Sequence, residues 1–192
     1  MSRAMAAYQR LPCSFVSTVS NFKTLGIIDV TRRKLLDIIK LIACIVVCEG
    51  AGIIGSIFTI RKIPTWYASI KKPKLRPPNW LFAPIWTTLY LLMGIAAFLI
   101  LQQGLENTGV QIALAIFGVQ LVLNGLWSVV FFGMESPLGG LVVIAALWAV
   151  ILFSIIRFLP LSLVAGLLLV PYIIWVSIAA VLNISIYMLN RR

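Results

Sequence analysis

Most of the chain consists of apolar runs that are long enough to cross a bilayer as helices. A hydrocarbon core of about 30 Å needs about 20 apolar residues in an α-helix. Five runs reach this length, namely residues 38–60, 80–101, 110–132, 138–159 and 161–189. Short connections separate most of them. Because lipid cannot hydrogen-bond open backbone groups, and because the runs lack the alternation of barrel strands, they predict helices. The predicted fold is therefore all-α, a polytopic membrane protein built as a bundle of five transmembrane helices.

The segment before the first apolar run has a different composition. Its basic residues are spread among serine, threonine and small apolar residues, and they include Arg3, Arg10 and Lys23. We therefore divide the chain into a basic N-terminal tail, residues 1–37, and a five-helix membrane domain, residues 38–192. The tail resembles an organelle transit peptide, although a mobile basic tail or an over-assigned start codon would give the same pattern.

The longest connection joins the first two predicted helices, from Arg61 to Asn79. It contains six basic residues, no acidic residue and four prolines. Prolines stiffen a segment and prevent it from being helical throughout. Trp66, Tyr67 and Trp80 are the amphipathic aromatic residues that anchor membrane interfaces. These features predict a structured lid rather than a flexible linker.

Composition and charge narrow the partners of such a bundle. Hydrophobic residues make up 61% of the chain and charged residues 11%, and the formal net charge is +11. Because the cations flank the apolar runs, we assign them to membrane orientation and lipid headgroups and expect no nucleic-acid partner. The chain has no histidine and only three cysteines, Cys13, Cys44 and Cys48. We therefore expect no metal site and see no catalytic constellation.

Polar residues inside the predicted helices are few, so each one is informative. Glu49 lies near the middle of the first helix, where a carboxylate is expensive and is a functional candidate by default. A protonated or hydrogen-bonded glutamate, or a helix that starts later, is the alternative. Four small residues follow it on the same helix and favour close helix packing: Gly52, Gly55, Ser56 and Thr59.

Aromatic and polar side chains share faces on three predicted helices. Pairs one turn apart occur on the second, third and fifth helices: Trp86 with Tyr90, Asn124 with Trp127, and Trp175 with Ala179. One such stripe is more often packing than a binding site, but three together favour an aromatic-lined pocket. Such a pocket suits a large, flat, apolar ligand. Pro171 is expected to loosen the fifth helix locally.

Specific motifs connect this pattern with a known family. They are Gly55-Ser56 with Thr59, then WYASIKKPKLRPPNWLFAPIWTTLYLLMG over 66–94, LNGLWSVVFFG over 123–133 and PYIIWVSIAAVLN over 171–183. By these motifs the chain resembles the TspO/MBR family, the translocator proteins, tryptophan-rich sensory proteins and peripheral-type benzodiazepine receptors. The resemblance covers roughly residues 52–190. The tail and Glu49 lie outside the matched motifs.

The resemblance implies a five-helix protein, commonly a homodimer, with a ligand pocket beneath the first loop. It implies a porphyrin-binding sensor or translocator in tetrapyrrole or stress regulation, which needs no cofactor and takes a protoporphyrin IX-like molecule as ligand. Residue by residue, the implied pocket comprises Trp86, Tyr90, Asn124, Trp127, Trp175 and Ala179, with Trp66 and Pro78 in the lid. The motif pattern favours a prokaryotic plasma membrane, and an organelle outer membrane is the alternative.

Two further functions remain open on the same resemblance. One is light-dependent porphyrin degradation, for which Trp86 and Trp175 are the candidate catalytic residues. The other is a sterol or lipid carrier, or a dimeric scaffold. Leu182, Tyr187 and Arg191 match the loose Leu/Val–Tyr–Arg/Lys pattern proposed for sterol contact. The family's tyrosine soon after the Leu-Asn pair is replaced by Ile184, which weakens the sterol hypothesis.

Overall fold

The structure is a computed structural model that describes residues 13–74 and 76–191, with side chains from residue 29 onward. The described residues contain no strand. Their α-helices are α1 Cys13–Lys62, α2 Trp66–Ser69, α3 Phe82–Leu101, α4 Thr108–Ser128, α5 Pro137–Phe158, α6 Leu163–Leu168 and α7 Val170–Asn190. A 3₁₀ turn, Asn79–Leu81, precedes α3, and a π turn, Val129–Gly133, continues α4.

Five helical segments are long and apolar enough to cross a membrane. They are Asp29–Lys62, Asn79–Leu101, Thr108–Gly133, Pro137–Phe158 and Leu163–Asn190. The predicted all-α fold with five membrane spans is therefore confirmed. The fifth span is divided, because α6 ends at Leu168 and α7 begins at Val170, one residue before Pro171.

Helix caps explain why the middle spans begin where the sequence predicts. The Asn107 side chain accepts a hydrogen bond from the Gly109 amide at 2.8 Å and caps α4. Ser136 accepts one from the Gly139 amide at 3.1 Å, and Pro137 occupies the first turn of α5. Side-chain oxygens of this kind satisfy amides that have no partner within the helix, and proline is tolerated there because it lacks an amide hydrogen.

The first helix starts earlier than the apolar pattern does. Helix α1 begins at Cys13, whereas the predicted span begins at residue 38. The chain divides into two compact units at Lys40, and the second unit, Leu41–Arg192, holds the membrane bundle. The division into a tail of 1–37 and a membrane domain of 38–192 stays a prediction. The hypotheses about a transit peptide or mobile tail rest partly on residues 1–12, which lie outside the described residues.

Most of the buried core is formed by α3, α4, α5, α6 and α7, and α1 adds Cys48. Its fully buried side chains include Met93 and Ile100 of α3, Phe158 of α5 and Tyr172 of α7. Because lipid is as apolar as these side chains, close packing rather than water exclusion must hold such a bundle together. Gly140 of α5 illustrates this, since a Cβ there would lie within 2.7 Å of a ring carbon of Phe131.

Helix α1 meets the rest of the bundle at glycine positions. A Cβ on Gly94 of α3 would lie 2.7 Å from the Cα of Ile45, and a Cβ on Gly52 would overlap the Tyr90 ring. A Cβ on Gly55 would lie 3.1 Å from the Ser128 hydroxyl oxygen. The prediction that Gly52 and Gly55 allow close helix approach is thus confirmed. Much of the opposite surface of α1 carries exposed valine and isoleucine side chains.

Candidate functional site

A cavity of about 370 Å³ lies between α1, α3 and α4. The α1 wall is a stripe at helical spacing from Glu49 to Ile60, and Ile63 extends it to the loop. The opposite walls carry Phe82, Ala83, Trp86, Thr87 and Tyr90 from α3 and Asn124, Trp127 and Ser128 from α4. Tyr67, Asn79 and Phe132 line the end nearest the first loop. With a rise of about 1.5 Å per residue, the stripe from Glu49 to Ile63 extends over about 21 Å.

Two tryptophans give the cavity its aromatic character. The Trp86 ring stacks on Tyr90, with ring centroids 5.6 Å apart and an angle of 29° between the planes. The Trp127 ring stacks on Phe131 at 5.2 Å and 19°. Both indoles are only partly buried and both line the cavity. Each indole is therefore held by a stacked ring while part of its surface stays open to the cavity.

A hydrogen-bonded chain closes the inner end of the cavity. The Tyr90 hydroxyl donates to Asn124 Oδ1, and Asn124 Nδ2 donates to the Tyr172 hydroxyl at 2.7 Å. Asn124 is 4% exposed, so its amide needs these partners. The chain links α3, α4 and α7. It also occupies the oxygen and one amide hydrogen of Asn124 in bonds within the protein.

A second asparagine holds Trp127 in place. Trp127 Nε1 donates to Asn183 Oδ1 at 3.2 Å, and Asn183 Nδ2 donates to the Pro137 carbonyl at 2.7 Å. Asn183 is fully buried and joins α4, α5 and α7 through these two bonds. The motif and spacing patterns assign no role to Asn183. A lone asparagine in an apolar span is the signal that identifies it, because its amide must be paired.

The predicted lid is ordered and packs against the π turn. Trp66 of α2 packs edge-on against Phe131 and Phe132, with ring centroids 5.6 and 6.4 Å away. At the other end of the loop, Asn190 of α7 exchanges two hydrogen bonds with the Lys71 backbone, at 3.0 and 2.9 Å. The loop is therefore fastened both to the end of α4 and to the end of α7.

Charged groups complete the lid. The Lys72 ammonium donates to the carbonyls of Tyr67 and Ala68 in α2 and of Ile70 directly after it, and lies 4.9 Å from the Tyr67 ring centroid. Loss of solvation and the nearby Arg76 charge lower the pKa of Lys72. Burial raises the pKa of the Tyr67 phenol, although Arg76 opposes this change. Lys62 donates to Glu135 at 2.6 Å and ties the end of α1 to the turn before α5.

The structure brings four of the six predicted pocket residues together, buries the other two in α7, and has the two predicted lid residues in the first loop. Trp86, Tyr90, Asn124 and Trp127 all line the cavity. Trp66 packs in the lid, Pro78 is exposed beside Asn79, and Trp175 and Ala179 are buried in α7. Trp175 lies behind Phe82, with ring centroids 5.7 Å apart, and its indole nitrogen has no acceptor among the described residues. The sequence pattern predicts that the fifth span forms a wall of the pocket, whereas in the structure α1 forms that wall.

The residues of the sterol pattern lie outside this cavity. Leu182 lines a separate open groove beside Lys74, Arg76 and Pro77. Tyr187 is partly buried one turn further along α7, and Arg191 is exposed at its end. The three side chains therefore border the lid and the end of the bundle rather than the space between α1, α3 and α4.

Comparison with known proteins matches most of the chain. The TspO/MBR family profile covers residues 44–189. A tryptophan-rich protein TspO from Chlorobaculum tepidum is 44% identical over 80% of this chain and 98% of its own length. Protein CrtK from Rhodobacter capsulatus is 41% identical over 76% of this chain and 89% of its own. The pig (Sus scrofa) translocator protein is 33% identical over 73% of this chain and 83% of its own length.

Proposed function

The chain belongs to the TspO/MBR family of membrane translocator and sensory proteins, and from this premise we propose that it binds a flat, porphyrin-like ligand in the cavity between α1, α3 and α4. In this proposal the protein acts as a sensor or translocator in tetrapyrrole or stress regulation. The ligand enters with its ring between the tryptophans and lies beneath the first loop.

The observation that carries the proposal is the pair of fixed indoles on two different walls. Trp86 and Trp127 both line one cavity with partly open surfaces, and each is held by a stacked ring. The cavity volume of about 370 Å³ is within the range of ligand sites, which is roughly 300–1,000 Å³. Flat aromatic ligands bind such surfaces by stacking and by excluding lipid.

The charge of the lid supports a ligand with acidic edges. Residues 61–79 carry six basic and no acidic residues, and three members of this segment, Ile63, Tyr67 and Asn79, line the cavity end. A porphyrin bears carboxylates on one edge and an apolar ring elsewhere. Its ring would fill the apolar cleft while its carboxylates meet the cations of the lid.

The test is a titration of protoporphyrin IX into the protein in a neutral maltoside detergent, followed by quenching of tryptophan emission. We expect saturable quenching. Trp86→Phe and Trp127→Phe should each weaken binding by about two- to tenfold, the range of a single aromatic stacking contact. Trp148→Phe is the matched control, because Trp148 of α5 bonds to Ser177 and does not line the cavity.

The outcomes separate the alternatives. Quenching that never saturates, or affinities that are equal in all three variants, would contradict the proposed site. Saturable sterol binding without porphyrin binding would instead favour a sterol or lipid carrier.

A second candidate function is light-dependent oxidation of the bound porphyrin by dioxygen. The stacking of Trp86 on Tyr90 favours it, because an electron-rich indole held against a phenol is readily oxidised beside an excited macrocycle. Irradiation in air should yield a new absorbing product in molar excess over the protein, and Trp86→Phe should slow it. Porphyrin loss that is no faster than in detergent alone would exclude this activity.

A further inference from the structure

Glu49 is the one carboxyl group among the described residues that line the cavity, and no lysine or arginine lines it. It is fourteen positions before Ile63, which follows the end of α1 at the loop, so it lies about 21 Å deeper along the helix axis. The cavity therefore has an acidic group at its inner end, whereas the segment that borders its loop end, residues 61–79, carries six basic residues and no acidic one.

The polar neighbours of Glu49 are already engaged with each other. The Tyr90 hydroxyl donates to Asn124, and the Asn124 amide donates to Tyr172. Within the described residues, no side chain donates a hydrogen bond to the Glu49 carboxyl, and the three ion pairs found there do not include it. The protein thus builds a satisfied hydrogen-bond chain beside Glu49 and leaves the carboxyl group itself without a partner.

A carboxyl group in this position needs a donor from outside the protein. Burying a charge or an unpaired polar group in hydrocarbon is costly, and such residues pair with a partner wherever one is present. A ligand that presents N–H groups or an ammonium supplies both donors and opposite charge. A ligand that presents a carboxylate at the same end is repelled.

We infer that Glu49 makes the cavity selective for flat aromatic ligands that present a protonated amine or another N–H donor at their inner end. This inference rests on the proposed ligand site and extends its ligands beyond porphyrins, whose N–H groups point into the centre of the ring. It also fixes the orientation of a ligand that has both kinds of group. The N–H donors face Glu49, and the acidic edge faces the lid.

The test compares two probes that share one ring system, 1-pyrenemethylamine and 1-pyrenemethanol. Binding is measured by energy transfer from tryptophan to pyrene in a neutral maltoside detergent at pH 7, where the amine is charged. The wild-type protein should bind the amine about tenfold or more tightly than the alcohol, as expected for a charge-assisted hydrogen bond. Glu49→Gln should reduce this ratio of the two affinities to about twofold or less.

Glu106→Gln is the matched control. Glu106 lies in the connection between α3 and α4 and does not line the cavity, so its substitution makes the same charge change elsewhere. It should keep the full preference for the amine. If Glu49→Gln also weakens alcohol binding, Glu49→Asp is measured as well. This variant keeps a carboxylate, so it should keep the preference for the amine if the charge is the cause of that preference.

Three results would overturn the inference. They are a wild-type protein that does not distinguish the two probes, an amine preference that is equal in wild type and Glu49→Gln, and a preference lost in Glu106→Gln. If protoporphyrin IX binds in any of these cases, the proposed function stands and only the role of Glu49 fails. If neither protoporphyrin IX nor pyrene probes bind, the proposed function fails as well.

Discussion

Replacing Gly94 by alanine should push the first span away from the second and loosen one wall of the cavity. The new Cβ would lie 2.7 Å from the Cα of Ile45, whereas favourable carbon contacts need about 3.5–4.0 Å. The obstacle is backbone and cannot rotate away, so the helices must separate locally by about 1 Å. Overpacking of this kind costs about 1–3 kcal/mol, and the gain in helix propensity from glycine to alanine offsets about 1 kcal/mol of it.

Gly118→Ala on α4 is the control, because a Cβ there meets nothing within 4 Å. It keeps the propensity gain without the collision. Unfolding of both variants in mixed dodecyl sulfate and maltoside micelles, followed by circular dichroism, should therefore place Gly94→Ala about 1–3 kcal/mol below Gly118→Ala in stability. Porphyrin affinity should fall only in Gly94→Ala. Stabilities that agree within about 0.5 kcal/mol, with equal affinities, would refute the packing of α1 described above.

Three other predictions follow from the hydrogen bonds and the lid. Asn124→Leu leaves the buried hydroxyls of Tyr90 and Tyr172 unpaired and should lower the free energy of unfolding by about 1–3 kcal/mol. Changing both tyrosines to phenylalanine in the same variant should recover part of the lost free energy in the same assay. Asn190→Ala removes both bonds to the loop backbone and should speed amide exchange in residues 66–74 about tenfold, whereas Asn107→Ala should not. Because burial raises the pKa of Tyr67, the unfolded chain ionises this phenol first, and stability should fall as the pH rises above about 10. Tyr67→Phe should make that fall shallower, and equal slopes in the two proteins would contradict the pKa shift.

The membrane spans could be predicted because hydropathy and helix signals coincide along much of this chain. Ser136-Pro137 marks the start of α5 to within one residue of the predicted 138. The beginning of α1 at Cys13 could not be found in the same way. Hydropathy detects where a helix enters apolar surroundings, and the basic residues near Arg33 interrupt the apolar pattern without interrupting the helix.

The candidate site was only partly accessible from sequence. Spacing placed Trp86 with Tyr90 and Asn124 with Trp127, because residues three or four apart on one helix must share a face. Spacing within a helix does not tell which helix lies opposite. Which helix lies opposite depends on tertiary packing. Here Gly94 has no side chain, so the backbone of α1 at Ile45 packs closely against α3, and the α1 stripe lines the cavity.

The α1 wall also determines how affinities for this protein should be expressed. Ile53 and Ile60 line the cavity, yet 63% and 67% of their surfaces are exposed within a membrane-spanning segment, so the α1 wall leaves the cavity partly open. A hydrophobic ligand would thus reach the site by lateral diffusion within the bilayer or micelle. The relevant concentration is then the mole fraction of ligand in the lipid or detergent phase. Titration midpoints expressed as ligand concentration in the total volume will shift with the amount of detergent.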